Sequence, residues 1–259
     1  MRVFLGGVGI IAPGLENWQV AAPVLRGDGA YREAPLPKLV AAELPPAERR
    51  RATAVTKLAL DVAMQAGGDR VAEAATVFAS SGGEVGVIDQ IFRELATPAP
   101  QISPTLFHNS VHNAASGYWS IATGSRHAAM SLSVYDDTFA AGFLEAAVQA
   151  TVDRSPVLLI CYDFPPLPPI ARHRPLAGPF GVSLLLQPER GPVPLASLEV
   201  DWGTVEEASV MEDAVLDGLR LGNPAGRSLP LLATLAQGRC ASVRFALSGG
   251  RGLTVGVTP

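Results

Sequence analysis

Between Thr105 and Ala150 the sequence changes its hydrophobic period twice, and that stretch limits the folds open to the chain more than any other. His108 to Thr123 is rich in Ala, Ser and Asn. Its apolar residues Val111, Ala114, Ala115, Tyr118 and Ile121 fall near helical spacing, so it reads as a helix of small side chains that another backbone can approach closely. Gly124 ends it. Met130 to Val134 alternates as a short strand, and Thr138 to Ala150 lines Phe139, Phe143, Ala146, Ala147 and Ala150 along one helical face. The expected unit is helix, strand, tight junction, helix. Tyr135, Asp136 and Asp137 occupy the junction, where the next helix presents unpaired N–H groups and the positive end of its dipole. Such a strand-to-helix elbow belongs to a layered α/β fold and is where many enzymes hold a nucleophile.

The side chains around this elbow support several chemistries on paper. His108, His112 and His127 lie in the stretch, but neither of the two cysteines does. His108 and His112, four apart, could chelate a metal on one helical face. No carboxylate or cysteine completes an HExxH-type set, so a structural or interface role is expected and no metal is assigned. Asp136 and Asp137 could work as an acid and base pair, or one of them could cap the helix that follows. Ser110 or Ser133 with a nearby histidine would suit an acyltransferase or hydrolase, though GxSxG is absent. Cys161 sits within PVLLICY and reads as a buried small hydrophobe.

The same stretch resembles the centre of a β-ketoacyl synthase of the thiolase-like superfamily, whose pattern is a small-residue helix containing Asn-x-x-Ala-Gly, a strand running into Thr-Ala-Cys, and a long buried helix. Asn113 and Gly117 match the first part, with Ser116 in place of Ala. Ser131 to Val134 resemble the strand, and Glu145 with Ala146 the buried helix. Counting back from Glu145 puts Asp136 where the family carries its nucleophilic cysteine. A slip of one residue would bring Tyr135 or Asp137 there, and neither is a thiol. The resemblance also implies that Phe107, His108, Val111, His112, Asn113, Tyr118 and Trp119 lie near an acyl tunnel at a subunit interface.

The remainder of the chain is read in order. Arg2 to Ile11 is a glycine-punctuated strand, and GVGIIAPG is similar to the opening strand of ketosynthases. Gly7, Gly9 and Ala12 also sketch a dinucleotide fingerprint, but Pro13 breaks the chain where a helix should be under way. Residues 28–47 read as a surface loop. Glu48 to Gln65 is an expected helix, opened by Arg49, Arg50 and Arg51, which are either a solvated face or a contact for something anionic. Ala75 to Ser80 is an expected strand followed by the turn Ser81-Gly82-Gly83, then a helix from Val85 to Leu95 and an extended arm from Thr97 to Pro104. Pro156 to Tyr162 and Gly181 to Gln187 are buried strands around a proline-rich loop at 164–176. Beyond them come helices at Val205 to Leu221 and Ser228 to Gln237, and a hairpin from Ser242 to Val257.

The expected fold is therefore α/β, a thiolase-like βαβαβαββ layer with a mixed sheet flanked by helices. Residues 1–190 would form the ketosynthase-like half and 191–259 a shortened remnant packed on the same domain. A complete ketosynthase, by the resemblance, carries two catalytic histidines in its second half, and here no histidine follows His173. With 20 Lys and Arg against 24 Asp and Glu, and no basic run interleaved with aromatics, nucleic acid is not an expected partner. No stretch is long and apolar enough to insert in a membrane, the N-terminus lacks a cleavage site, and two cysteines make no disulfide framework, so a cytoplasmic location is expected. The function that follows is a non-condensing, chain-length-factor-like subunit in a heterodimer with a full-length active ketosynthase, served by acyl carrier protein and needing no cofactor. Aryl polyene synthesis is the nearest setting the resemblance suggests. The alternatives are a stand-alone acyltransferase or hydrolase of acyl thioesters, and a non-catalytic acyl-binding homodimer.

Overall fold

The computed structural model describes residues 1–192 and 194–259. In chain order the elements are β1 (Arg2–Ile11), α1 (Trp18–Arg26), α2 (Pro46–Arg51), α3 (Ala54–Gly67), β2 (Ala75–Ala79), α4 (Val85–Leu95), α5 (Pro104–Asn109), α6 (Ala114–Thr123), β3 (Ala129–Leu132) and α7 (Thr138–Val152). After these come β4 (Val157–Asp163), β5 (Phe180–Gln187), β6 (Ala196–Thr204), α8 (Ala214–Gly222), α9 (Leu229–Gln237), β7 (Ala241–Leu247) and β8 (Arg251–Thr258). All the strands join one sheet in the order β3-β2-β4-β5-β1-β6-β8-β7. β2 runs parallel to β3 and β4, and every other pairing is antiparallel.

Why the centre of the sheet is covered on both faces follows from its residues. β4 is buried at every position and β5 at all but the last, as continuous runs of apolar residues require. One face packs Phe78, Leu158, Ile160 and Leu185 against α3 and α6, with Tyr118 and Trp119 between them. The other packs Val77, Leu159, Val182 and Ile10 against Phe139, Phe143, Ala146 and Ala150 of α7, and the same core runs on under α1 and α9. The result is the mixed sheet flanked by helices that the sequence predicts. Toward β6, β8 and β7 only one face stays covered. Val200, Val243, Phe245 and Val255 are buried there, while Glu199, Asp201 and Arg244 alternate outward to solvent.

Gly7 and Gly9 have a packing role. A Cβ on Gly9 would lie 2.5 Å from the Val62 carbonyl oxygen, and one on Gly7 would strike that of Ala66, so these glycines let α3 rest directly on β1.

Several expected elements break differently. The helix expected from Glu48 to Gln65 is two. Ala52 is extended and the Thr53 hydroxyl accepts the Thr56 N–H at 3.0 Å, which starts α3 afresh. The Arg49 guanidinium donates to the carbonyls of Ala42 and Leu44 and ties down the preceding loop, and Arg51 pairs with Glu48 at 2.9 Å. The helix expected from Val205 is helical only from Ala214, because Asp213 accepts from the Val215 and Leu216 N–H groups and fixes the start. Before it lies β6, which the sequence reading left out although Leu198 and Val200 alternate with Glu199 and Asp201.

Candidate functional site

The single helix expected from His108 to Thr123 is also two, and this rearranges the candidates. The Ser110 hydroxyl donates to the Phe107 carbonyl and that of Ser116 to Asn113, so small polar side chains close turns between α5 and α6. His108 and His112 are therefore not a pair on one helical face. His108 meets the Tyr118 ring edge-on at 6.0 Å, and His112 Nε2 lies 2.9 Å from the Ser80 carbonyl oxygen. Tyr118 and Trp119 are each 1% exposed and belong to the chain's own core. The Tyr118 hydroxyl donates to Asn109 Oδ1 at 3.0 Å and Trp119 stacks edge-on against Phe78. Phe107 and Val111 behave differently: Phe107 is 66% exposed, Val111 is exposed, and Asn113 faces solvent at the start of α6.

The C-terminal ends of the parallel strands β2, β3 and β4 converge, the position at which open α/β sheets hold ligands. Asp163, at the end of β4, is 2% exposed and collects the Ser80 hydroxyl and the N–H groups of Ser81 and Gly82, which shapes the Ser80–Gly83 turn. Burial pushes its carboxyl above the ordinary aspartate value, against the pull of those hydrogen bonds. The Ser133 hydroxyl donates to the Ser81 carbonyl at 2.9 Å, which ties the end of β3 to the same turn.

Beyond Ser133 the chain turns through the elbow. Tyr135 has φ 51, the left-handed region that costs a bulky side chain roughly 1–2 kcal/mol. Two clamps hold it. The Thr138 hydroxyl donates to the Tyr135 carbonyl at 2.7 Å, and the Arg174 guanidinium lies 3.7 Å over the centre of the Tyr135 ring. Arg174 Nη1 also pairs with Asp136 Oδ1 at 2.6 Å. Asp137 is claimed from the far end of the chain, accepting the Ser248 N–H at 2.8 Å and its hydroxyl at 2.7 Å. No side-chain hydrogen bond caps α7, because both aspartates are turned to these long-range partners. A cavity of about 30 Å³ beneath the elbow is lined by Asp136, Asp137, Arg220, Arg227 and Phe245, room for little more than a water molecule.

The position expected for a nucleophile thus holds a carboxylate committed to an arginine. Cys161 lies inside β4, where burial pushes its thiol well above the usual range, and Cys240 is exposed beside β7. Among the described residues no group of three His, Cys, Asp or Glu could hold a metal ion, and no helix is long and apolar enough to cross a membrane. A larger cavity of about 560 Å³ lies elsewhere, between α1, α9 and the loop before α8, and none of its lining residues comes from the elbow.

The sequence reading missed Arg174 and Ser248. Arg174 stood in a proline-rich loop and Ser248 in a hairpin turn. Their partners are 38 and 111 residues away, so no local spacing points to them.

Residues 25–218 match the family model for the β-ketoacyl synthase N-terminal domain. Among solved structures the chain is similar in fold to one from a ketosynthase (ApeO) in complex with its chain length factor (ApeC) from Xenorhabdus doucetiae, with TM-score 0.73, 22% identity and 100% of both chains covered. It is similar also to a chain of the ishigamide ketosynthase/chain length factor, with TM-score 0.72, 14% identity and 99% of each chain covered. A third likeness is to a chain of the AntDE:AntF complex, a type II PKS acyl-carrier protein with its ketosynthase bound to the hexaketide, with TM-score 0.77, 11% identity and 99% of each covered. None of the curated protein sequences gives a significant match.

Proposed function

The chain belongs to the β-ketoacyl synthase family, matching the model of its N-terminal domain, and from that membership we propose that it is a non-condensing subunit, chain-length-factor-like, that pairs with an active ketosynthase. The observation that carries the reading is the elbow, where Asp136 is bound to Arg174 at 2.6 Å. Decarboxylative condensation needs a thiolate to accept the acyl chain and donors for the developing negative charge. A carboxylate locked in an ion pair supplies neither, so the partner supplies them. Residues 1–190 are then the ketosynthase-like half, and 191–259 a reduced second half merged into its sheet.

The surface supports the pairing. Among the described residues β3 is an edge strand, hydrogen-bonded on one side only; Met130 is exposed on it, and Val134 and Tyr135 are exposed just beyond its end. Phe107 on α5, Val111 in the turn after it and Ile121 on α6 are exposed as well. An edge and an apolar patch of this kind are protein-pairing features. The similar structures of ketosynthase with chain length factor, and of ketosynthase with acyl carrier protein, support the same assembly, with carrier protein delivering the chain; aryl polyene synthesis is the setting the sequence resemblance adds. The reading implies a cytoplasmic complex.

Co-expression with a cysteine-bearing ketosynthase from the same source, followed by size exclusion and a carrier-protein condensation assay with each component omitted in turn, tests it. The expected result is a one-to-one complex, condensation that requires both chains, and no acyl adduct on this chain by intact mass. Turnover of an acyl thioester by the isolated chain, or acylation of it, would overturn the reading.

A further inference from the structure

Tyr135 combines three properties that folding alone does not call for. Its backbone is in the left-handed region at φ 51, which a bulky residue avoids. Its ring is 60% exposed, so no core packing compensates for that conformation. Its ring is held by the Arg174 guanidinium stacked at 3.7 Å. Backbone strain retained at an exposed position is characteristic of sites set up for something else to bind.

Arg174 supplies the second, independent observation. Its side chain is 18% exposed, Nη1 is satisfied by Asp136, and Nη2 is buried with no hydrogen-bond acceptor among the described residues. A buried donor on a charged group is costly to leave unmade, and nearly all such groups in folded proteins are satisfied. The guanidinium is placed instead by its stack on Tyr135 and its pair with Asp136.

We propose that Tyr135 and Arg174 form a preset docking plate, with the Tyr135 ring, held by the Arg174 guanidinium, as an aromatic anchor for the partner synthase. The occupant is a protein because the plate adjoins the edge strand β3, with Met130 exposed on the strand and Val134 exposed just beyond its end. Arg and Tyr at the centre of an interface, held rigid before binding, are the residues from which affinity is usually drawn. Strand, junction residue and arginine then act together: the ion pair with Asp136 fixes the guanidinium, and the guanidinium fixes the ring. The proposal rests on the pairing with a ketosynthase argued above.

The test measures affinity for the co-expressed cysteine-bearing synthase alongside thermal stability. Tyr135→Gly removes the ring and relieves the backbone, so its melting temperature is expected to equal or exceed wild type while affinity falls about tenfold or more, the hot-spot pattern. Arg174→Gln is expected to weaken binding as well, and the double variant to lose less than the product of the two single losses, because the residues act as one unit. Met130→Lys, on the strand edge, is the control for the pairing itself. If Tyr135→Gly binds as tightly as wild type while Met130→Lys does not bind, the plate is wrong and the pairing stands. If the wild-type chain forms no complex with the synthase, both are wrong. If Tyr135→Gly loses affinity only in proportion to a loss of folded protein, its role is structural and the plate is again overturned.

Discussion

Asp136 and Glu84 show how a single carboxylate can be assigned by its partners. Asp136 is half-exposed and spends its charge on Arg174, so Asp136→Ala is expected to cost about 1–2 kcal/mol in urea denaturation, mostly from leaving a partly buried guanidinium unpaired. It should leave any carrier-protein chemistry of the assembled complex to the partner's thiol. Glu84 is buried, and its Oε1 accepts from the Thr53 hydroxyl at 2.6 Å and the Thr56 hydroxyl at 2.8 Å. Burial raises its carboxyl above the ordinary 4.5, so the folded chain binds the proton more tightly than the unfolded one. Its contribution to stability is full below 4.5 and is lost as the pH rises through the raised value. Glu84→Gln keeps the accepting oxygen and removes the charge; the melting temperature of the variant relative to wild type is expected to climb between pH 4 and pH 7. A flat difference over that range would show that burial does not set this group's titration. At this scale the residue order marks a position, Asp136 against an expected cysteine, but not a role. The role of Asp136 comes from Arg174 and that of its neighbour Asp137 from Ser248, residues that reach the elbow only in the folded chain.

The elements repeat the lesson at a larger size. Strands β1, β2, β4 and β5 and helices α4, α7 and α9 are legible because their apolar residues alone mark them, whereas the breaks within α2–α3 and α5–α6 depend on side chains that bond to the backbone. Thr53 is the clearest case. It caps α3 and also donates to Glu84, so Thr53→Ala is expected to cost about 1–2 kcal/mol by chemical denaturation. Gly117 separates stability from pairing on α6. It faces solvent, and a Cβ there meets nothing within 4 Å. Gly117→Ala should stabilise the chain by about 0.5–1 kcal/mol, since glycine is a poor helix residue. Gly117→Leu should leave the melting temperature near wild type yet weaken complex formation with the synthase, because the small outer face of α6 would no longer allow close approach. Unchanged affinity would remove α6 from the interface.

For the whole molecule, the layered architecture was written in the alternation of periods, while the joining of β6, β8 and β7 to the first five strands was not. β6 pairs with β1 through Arg2–Glu199 to Leu5–Ala196, a register that no local pattern encodes. The exposed apolar side chains of Phe107, Val111, Ile121 and Met130 also belong to this scale. With that surface uncovered, the isolated chain is expected to self-associate as its concentration rises through the micromolar range, and a stoichiometric amount of synthase should suppress this in light scattering. A monodisperse monomer at every concentration would count against a pairing surface there.

Asp137 is reached by Ser248 across 111 residues, from the turn between β7 and β8. A ribosome makes Asp137 long before Ser248, so the elbow of a nascent chain waits for one of its two fastenings until almost the last strand has been synthesised. A half-made chain therefore carries an elbow still lacking the fastening that the β7–β8 turn provides.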